Sequence, residues 1–255
     1  MTGILSSKND LDALYSDIEQ YYTQKVSRHG PTPLGVDWPC QPTQELRFVQ
    51  LLRLCDFETP FSLNDIGCGY GAMLAFLAQR HRRKTVDYLG VDLSSAMVAE
   101  AYQLWCKRRN TEFVVANTSP RVADYSVASG IFNVKLNQPD ALWTLFIKET
   151  LTMMRATSRR GFAVNFLAPL TTGAPGEPEL YRAPSTLWGR YCEQEFGAAV
   201  EVLGSYGMRE YTLLVRTSQP AGVTASSTSS TGPVRSTRLV RTPSPRSGQS
   251  IVPLH

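Results

Sequence analysis

Three alternating glycines, Gly67, Gly69 and Gly71, stand between an apolar run (Phe61, Leu63, Ile66) and a segment with helical apolar spacing (Met73, Leu74, Phe76, Leu77). A second apolar run follows and ends on Asp92. That order reads as strand, glycine turn, helix, strand, acid. Glycines at the turn let backbone approach a ligand closely, and the N–H groups opening the following helix face whatever sits there. An acid at the end of the adjacent parallel strand reaches the same sheet edge, where it can accept hydrogen bonds from a ribose diol. The stretch Ser62 to Ser94 therefore binds a nucleoside-bearing cofactor. Two cofactor classes use such a turn. Gly67 to Ala72 fits the G-x-G-x-x-G/A dinucleotide fingerprint, with Asp92 about 20 residues further on. Asp65 argues for the other class, because an acid beside the turn repels a pyrophosphate and suits a ligand carrying an ammonium and a sulfonium.

Asp65-Ile66-Gly67-Cys68-Gly69-Tyr70-Gly71 resembles motif I of the class I S-adenosylmethionine-dependent methyltransferases, with the acid two positions before the first glycine. The likeness is to the small-molecule type and spans about residues 40 to 217, with motif I and Asp92 its specific part. It implies an α/β, Rossmann-like, doubly wound sheet of seven mostly parallel strands with an antiparallel last strand and a helical N-terminal cover, while the Ser/Thr/Pro/Gly-rich composition of the last residues, without aromatics, reads as a disordered C-terminal tail. The implied cofactor is S-adenosylmethionine, and the implied reaction is in-line methyl transfer to an O or N atom of a small-molecule acceptor. Residue by residue, the resemblance implies that Asp65, Gly67, Gly69 and Gly71 cradle the methionyl part and that Asp92 binds the ribose. Met97 and Asn117 border the adenine, and Leu93 and Ser129 complete the cofactor contacts. Asn117 stands where the family often carries an acid, and its amide oxygen can accept the adenine amino group's hydrogen bond. The segment Ser129 to Asn133 is not the Asn/Asp-Pro-Pro-aromatic motif of enzymes acting on nucleobase or amide nitrogens, which sets DNA and protein glutamine aside as substrates.

The elements that must position these residues follow in order. Asp10 to Val26 reads as a helix with Asp10 as N-cap, then a Pro/Gly-punctuated loop runs to Pro39, and a second helix spans roughly Thr43 to Cys55 with Leu46, Val49, Leu51, Leu52 and Leu54 on its core face. Residues 1–58 form a helical cover, 59–217 the cofactor-binding domain and 218–255 a Ser/Thr/Pro/Arg-rich tail. After Asp92 come a helix capped by Ser94 or Ser95 with Met97, Ala101 and Leu104 inward, a strand at Glu112 to Ala116, and a fourth strand at Asp124 to Ile131. A helix entered by Pro139, a fifth strand at Gly161 to Leu167, an irregular insertion from Ala168 to Pro184, another helix and a terminal hairpin complete the order. The cover and the insertion are expected to wall the substrate pocket. Substrate contacts are expected at Tyr22, His29, Asp37 and Trp38, with His29 and Tyr22 as catalytic candidates and Asp37 and Tyr181 as further titratable groups. Tyr70 and Phe132 can offer aromatic faces to a sulfonium.

Composition narrows the alternatives. The four tail arginines (Arg235, Arg238, Arg241, Arg246) account for the whole excess of 26 bases over 22 acids, so the body is neutral and nucleic acid is not an expected partner. No apolar run approaches membrane-spanning length, and the first thirty residues lack a signal-type apolar core. Five widely spaced cysteines suit a reduced, cytoplasmic setting, and no Cys pair or cluster among His29, His81 and His255 has metal-binding spacing, so no metal is expected. Two other readings stay open: a nicotinamide-dependent oxidoreductase, and a non-catalytic methyltransferase-like domain that binds a partner through the tail.

Overall fold

The computed structural model describes residues 7–170 and 176–217. The tail lies outside the described residues. Two helices open the chain, α1 (Ser7–His29) and α2 (Gln41–Leu52), joined through a short 3-10 helix at Pro33–Val36. Asp10 is not the cap of α1, because the helix already runs from Ser7; it lies in the first turn, where its charge suits the helix dipole. On α2 the core face is Phe48, Leu51 and Leu52, whereas Val49 is turned to solvent and Leu46 is only partly covered. Gln44 and Arg47 occupy buried positions of that same helix.

The alternation that follows is β1 (Phe61–Ile66), α3 (Ala72–Arg80), β2 (Val86–Asp92), α4 (Ser95–Trp105), β3 (Thr111–Val115), β4 (Ala123–Ala128), α5 (Asp140–Ala156), β5 (Ser158–Leu167), α6 (Ser185–Phe196), β6 (Ala199–Leu203) and β7 (Glu210–Arg216). The sheet order is β3-β2-β1-β4-β5-β7-β6, parallel throughout except that β7 runs antiparallel to both neighbours. This is a Rossmann-like sheet closed by a terminal hairpin, as the sequence leads one to expect. Strand order reverses between β1 and β4, and a crevice beyond the carboxyl ends of strands at such a point is where open α/β sheets bind ligands.

Strand periodicity sorts the core into two layers. Along β5, Phe162, Val164 and Phe166 enter one apolar cluster together with Leu14 of α1 and Trp143 of α5, while Ala163 enters the other with Phe48 of α2 and Leu74 of α3. A sheet covered on both sides explains why β1 and β4 are buried along nearly their whole length, Asn64, Asp65 and Ser126 included. Leu104 is half exposed, because α4 packs beside the edge strand β3 and no further strand lies beyond it to cover its outer row. Strand β4 stops at Ala128, three residues earlier than its apolar run suggests, since Gly130 turns the chain with φ +77. Among the described residues all five cysteines are free, and no helix is long and apolar enough to cross a membrane.

Candidate active site

A cavity of about 420 Å³ opens at the carboxyl ends of β1, β2 and β4, and its outer wall is the cover formed by α1, the 3-10 turn and α2. Its floor begins with the glycine turn. Gly67, Gly69 and Gly71 all have positive φ (71, 54 and 84), a conformation that side-chain-bearing residues avoid. The turn is internally hydrogen-bonded: Gly67 N–H and Cys68 N–H donate to the Val91 carbonyl, and Gly71 N–H donates to that of Cys68. Gly69 N–H donates to Asp92 Oδ2 at 2.8 Å. The turn's amides are thus largely committed within the protein, and a pyrophosphate would find few of them free. Gly67 and Gly69 line the cavity, but Gly71 does not. It sits at the N-cap of α3 with the Trp105 indole nitrogen of α4 2.9 Å from where a Cβ would stand, so a side chain there would collide with Trp105.

Two acids flank this floor. Asp65, in β1, is buried and its Oδ2 accepts a 2.5 Å hydrogen bond from the Tyr88 hydroxyl of β2. Burial pushes its carboxyl up to about 7, with Tyr88 pulling the other way and neighbouring Asp92 adding to the rise. Asp92 ends β2, and each of its oxygens takes one backbone N–H, from Gly69 and from Ser94 (2.9 Å). Each oxygen keeps lone-pair capacity for a hydroxyl. Burial raises this carboxyl too, and the backbone N–H groups oppose the rise. Ser94 caps α4, its Oγ accepting from Met97 N–H at 3.2 Å, and Thr23 of α1 meets the same hydroxyl at 2.6 Å. The cap thereby ties the cover to the cavity rim. Asp65, Asp92, Leu93, Met97, Asn117 and Ser129 all line the cavity. The donor set fits a ligand with an ammonium, a diol and a flat base: a buried acid, a half-satisfied acid at a strand end, and a mouth bordered by Leu93, Met97 and Asn117.

The other end is built from distant segments. Trp38 lies with the Arg47 guanidinium 3.6 Å over its ring. Arg47 is buried and paired with Glu210 of β7, its Nε donating to Oε2 at 2.8 Å and its Nη2 to Oε1. Glu210 also accepts from Asn165 Nδ2 of β5 at 3.1 Å, and Asn165 Oδ1 accepts from Gly130 N–H at 2.7 Å. The Trp38 ring occupies the space a side chain at position 130 would need, so Gly130 is required both by its φ and by this contact. Asn133, 4% exposed, lines the cavity with neither its amide oxygen nor its nitrogen hydrogen-bonded. Sequence reasoning overlooked Arg47, Asn133, Asn165 and Glu210. One signal was available, since Gln44, Arg47, Phe48 and Leu51 share one helical face and place polar groups on an otherwise apolar stripe.

The expected catalytic residues fare differently. Tyr22, Asp37 and Trp38 line the cavity; His29 does not, being the last residue of α1, where its carbonyl accepts from Thr32 Oγ1 at 2.9 Å. Burial, chiefly, with Asp37, Tyr21 and Asp92 nearby, raises the Tyr22 phenol above its ordinary value, so it holds its proton. A general-base role suits neither residue. Tyr181 is also off the lining, its hydroxyl accepting from Trp188 Nε1 at 3.1 Å. Phe132 is buried between Phe146 and Phe166, whereas Tyr70 lines the cavity. From the insertion, Glu179 and Leu180 reach the cavity, and Leu180 is bridged to Val134.

A family model described as a methyltransferase domain matches residues 64–155. The Mycobacterium tuberculosis (strain H37Rv) protein Rv1506c, which is named as a methyltransferase, is 41% identical over 165 residues, covering 65% of this chain and 98% of that protein. Among solved structures, magnesium protoporphyrin IX methyltransferase from Synechocystis with bound S-adenosylhomocysteine superposes with a TM-score of 0.57 at 15% identity, over 82% of this chain and all of that one. Human N-acetylserotonin methyltransferase with S-adenosylmethionine gives a TM-score of 0.55 at 13% identity, over 84% of this chain and 60% of that one. At such identities the structural likeness speaks to the fold.

Proposed function

Because the chain belongs to the class I S-adenosylmethionine-dependent methyltransferases, we propose that it moves a methyl group onto an oxygen or nitrogen of a small molecule by in-line displacement. The observation that carries this reading is Asp92. It ends β2, holds the glycine turn through Gly69 N–H, and keeps acceptor capacity toward the cavity. S-adenosylmethionine is the cofactor, and when bound it supplies a methyl group on a sulfonium that is already an activated leaving group.

The chain's residues then bind, orient and exclude water. Asp92 would hold the ribose diol; Asp65 would face the ammonium of the methionyl part beside Gly67 and Gly69; Leu93, Met97 and Asn117 would border the adenine; Ser129 would close the methionyl end. Held in this way, the cofactor would supply its methyl carbon to the acceptor's lone pair, the carbon–sulfur electrons passing to sulfur. The acceptor's proton leaves to water or to an unpartnered carboxylate oxygen such as Asp37 Oδ2. Tyr22 would donate a hydrogen bond to the acceptor. Residues 1–58 act as the cover in this scheme and 59–217 as the cofactor-binding body. Incubation with methyl-tritiated S-adenosylmethionine and a library of amines, alcohols and phenols tests the reading. Label in an organic product supports it, and a cofactor-binding protein that labels none of them speaks against it.

A further inference from the structure

The lining of the cavity has a pronounced charge imbalance. Six acids line it (Glu19, Asp37, Asp65, Asp92, Glu179, Glu210) against one base, Arg47, and that base is already committed to Glu210. Among the described residues, three that line the cavity carry buried side-chain polar atoms without a hydrogen-bond partner: Asp37 (Oδ2), Ser129 (Oγ) and Asn133 (both amide atoms). Asp37 is held in place on its other side, where Oδ1 meets Lys25 at 2.5 Å, and it sits in the left-handed region with φ 60 at the end of the 3-10 turn. Buried polar atoms without partners cost stability unless a ligand satisfies them, and these are a carboxylate oxygen, a hydroxyl and an amide, with no free cation. Asn133 Nδ2 lies 3.6 Å from where a Cβ on Gly130 would stand, in the same place that the Trp38 ring fills, so amide and indole face one spot.

Resting on the methyltransferase reading, we propose that the end of the cavity walled by Asp37, Trp38 and Asn133 binds an uncharged or cationic acceptor bearing an amine or hydroxyl and rejects carboxylates and phosphates. Asn133 is the specificity-determining hydrogen-bonding residue, and Asp37 supplies the charge preference. The cofactor itself, with an ammonium, a sulfonium and one carboxylate, offsets only one of the surplus acids. A carboxylate in the remaining space would face like charges in a low-dielectric wall and find no unpaired cation there, since Arg47 is held by Glu210 and the nearby Lys25 by Asp37. An amine or hydroxyl donates to the open carboxylate oxygen of Asp37 and the amide oxygen of Asn133.

The test uses one aromatic body with three head groups: tyramine, tyrosol and para-hydroxyphenylacetate, titrated into the 255-residue chain saturated with S-adenosylhomocysteine. Tyramine and tyrosol should bind, and para-hydroxyphenylacetate should bind ~10-fold or more weakly than tyramine. Asp37→Asn should shrink that gap, and Asn133→Leu should weaken tyramine and tyrosol while leaving S-adenosylhomocysteine affinity unchanged. Equal or tighter binding of the carboxylate, or binding of none of the three, overturns the proposal. Should Asp37→Asn fail to fold, judged by its melting and its cofactor binding, Asp37→Ser and the wild-type series decide the matter. Failure of S-adenosylhomocysteine to bind wild type would instead bring down the methyltransferase reading beneath it.

Discussion

The two ends of the cavity solve the problem of buried polarity in opposite ways. At the cofactor end, Asp65, Gly67, Gly69, Asp92 and Ser94 come from a single stretch of chain, and hydrogen bonds within that stretch preset each acid. At the acceptor end, the wall is assembled from Trp38, Arg47, Gly130, Asn133, Asn165 and Glu210, and Arg47 meets a partner 163 positions away. The first region is rigid because neighbouring strands carry it. The second depends on a buried ion pair for its shape and leaves Asn133 and one oxygen of Asp37 open. A fixed cofactor site joined to a separately built acceptor wall lets one sheet serve many substrates.

The sharpest way to break this contrast is through the ion pair. Arg47→Met alone strands the Glu210 carboxylate in the interior and should cost about 3–5 kcal/mol in chemical denaturation, while adding Glu210→Leu should recover much of it. Cofactor affinity in the double variant should stay near wild type if the two ends are independent. Next in size, Asp92→Ala would remove two charge-assisted hydrogen bonds to the ribose, each worth about 1.5–3 kcal/mol, and should weaken S-adenosylhomocysteine by ~100-fold or more in calorimetry. Undiminished affinity would mean that the ribose lies elsewhere.

Acidity sharpens the comparison further. The folded state keeps a proton on Asp65 that the unfolded chain has lost, so its contribution makes stability fall as pH rises from the ordinary 3.8 toward about 7. An ammonium on the ligand favours the ionised carboxylate, so binding releases a proton and affinity should rise by up to ~10-fold per pH unit below about 7. Asp65→Asn should flatten both profiles. Smallest of all, Lys25→Met removes a partly exposed partner of Asp37 and should shift the denaturation midpoint by less than ~1 kcal/mol equivalent.

Legibility in the sequence follows the same division. The glycine turn, Asp92, the Ser94 cap and the closing hairpin are local patterns, each set by a handful of consecutive residues, and they could be read without a partner strand. The ends of β4 and of the core faces of α2 and α4 were harder. Gly130 cut a strand that its apolar residues would have prolonged, and Val49 and Leu104 are apolar residues for which the sheet has no remaining covered surface. Glu210 opens an apolar strand and looks like a solvated end; only the pairing of β7 with β5, which sets it against Leu167 in register, puts it near Asn165 and beneath Arg47. His29 was misplaced for a related reason, since helix periodicity gives a face but not where the helix ends relative to the cavity.

The most direct test of the central claim is calorimetric titration of the 255-residue chain with S-adenosylhomocysteine, with NADH as the matched control. The account predicts stoichiometric binding of S-adenosylhomocysteine and no heat from NADH, because the turn's amides are committed and Asp65 opposes a pyrophosphate. Binding of NADH with no response to S-adenosylhomocysteine would contradict it.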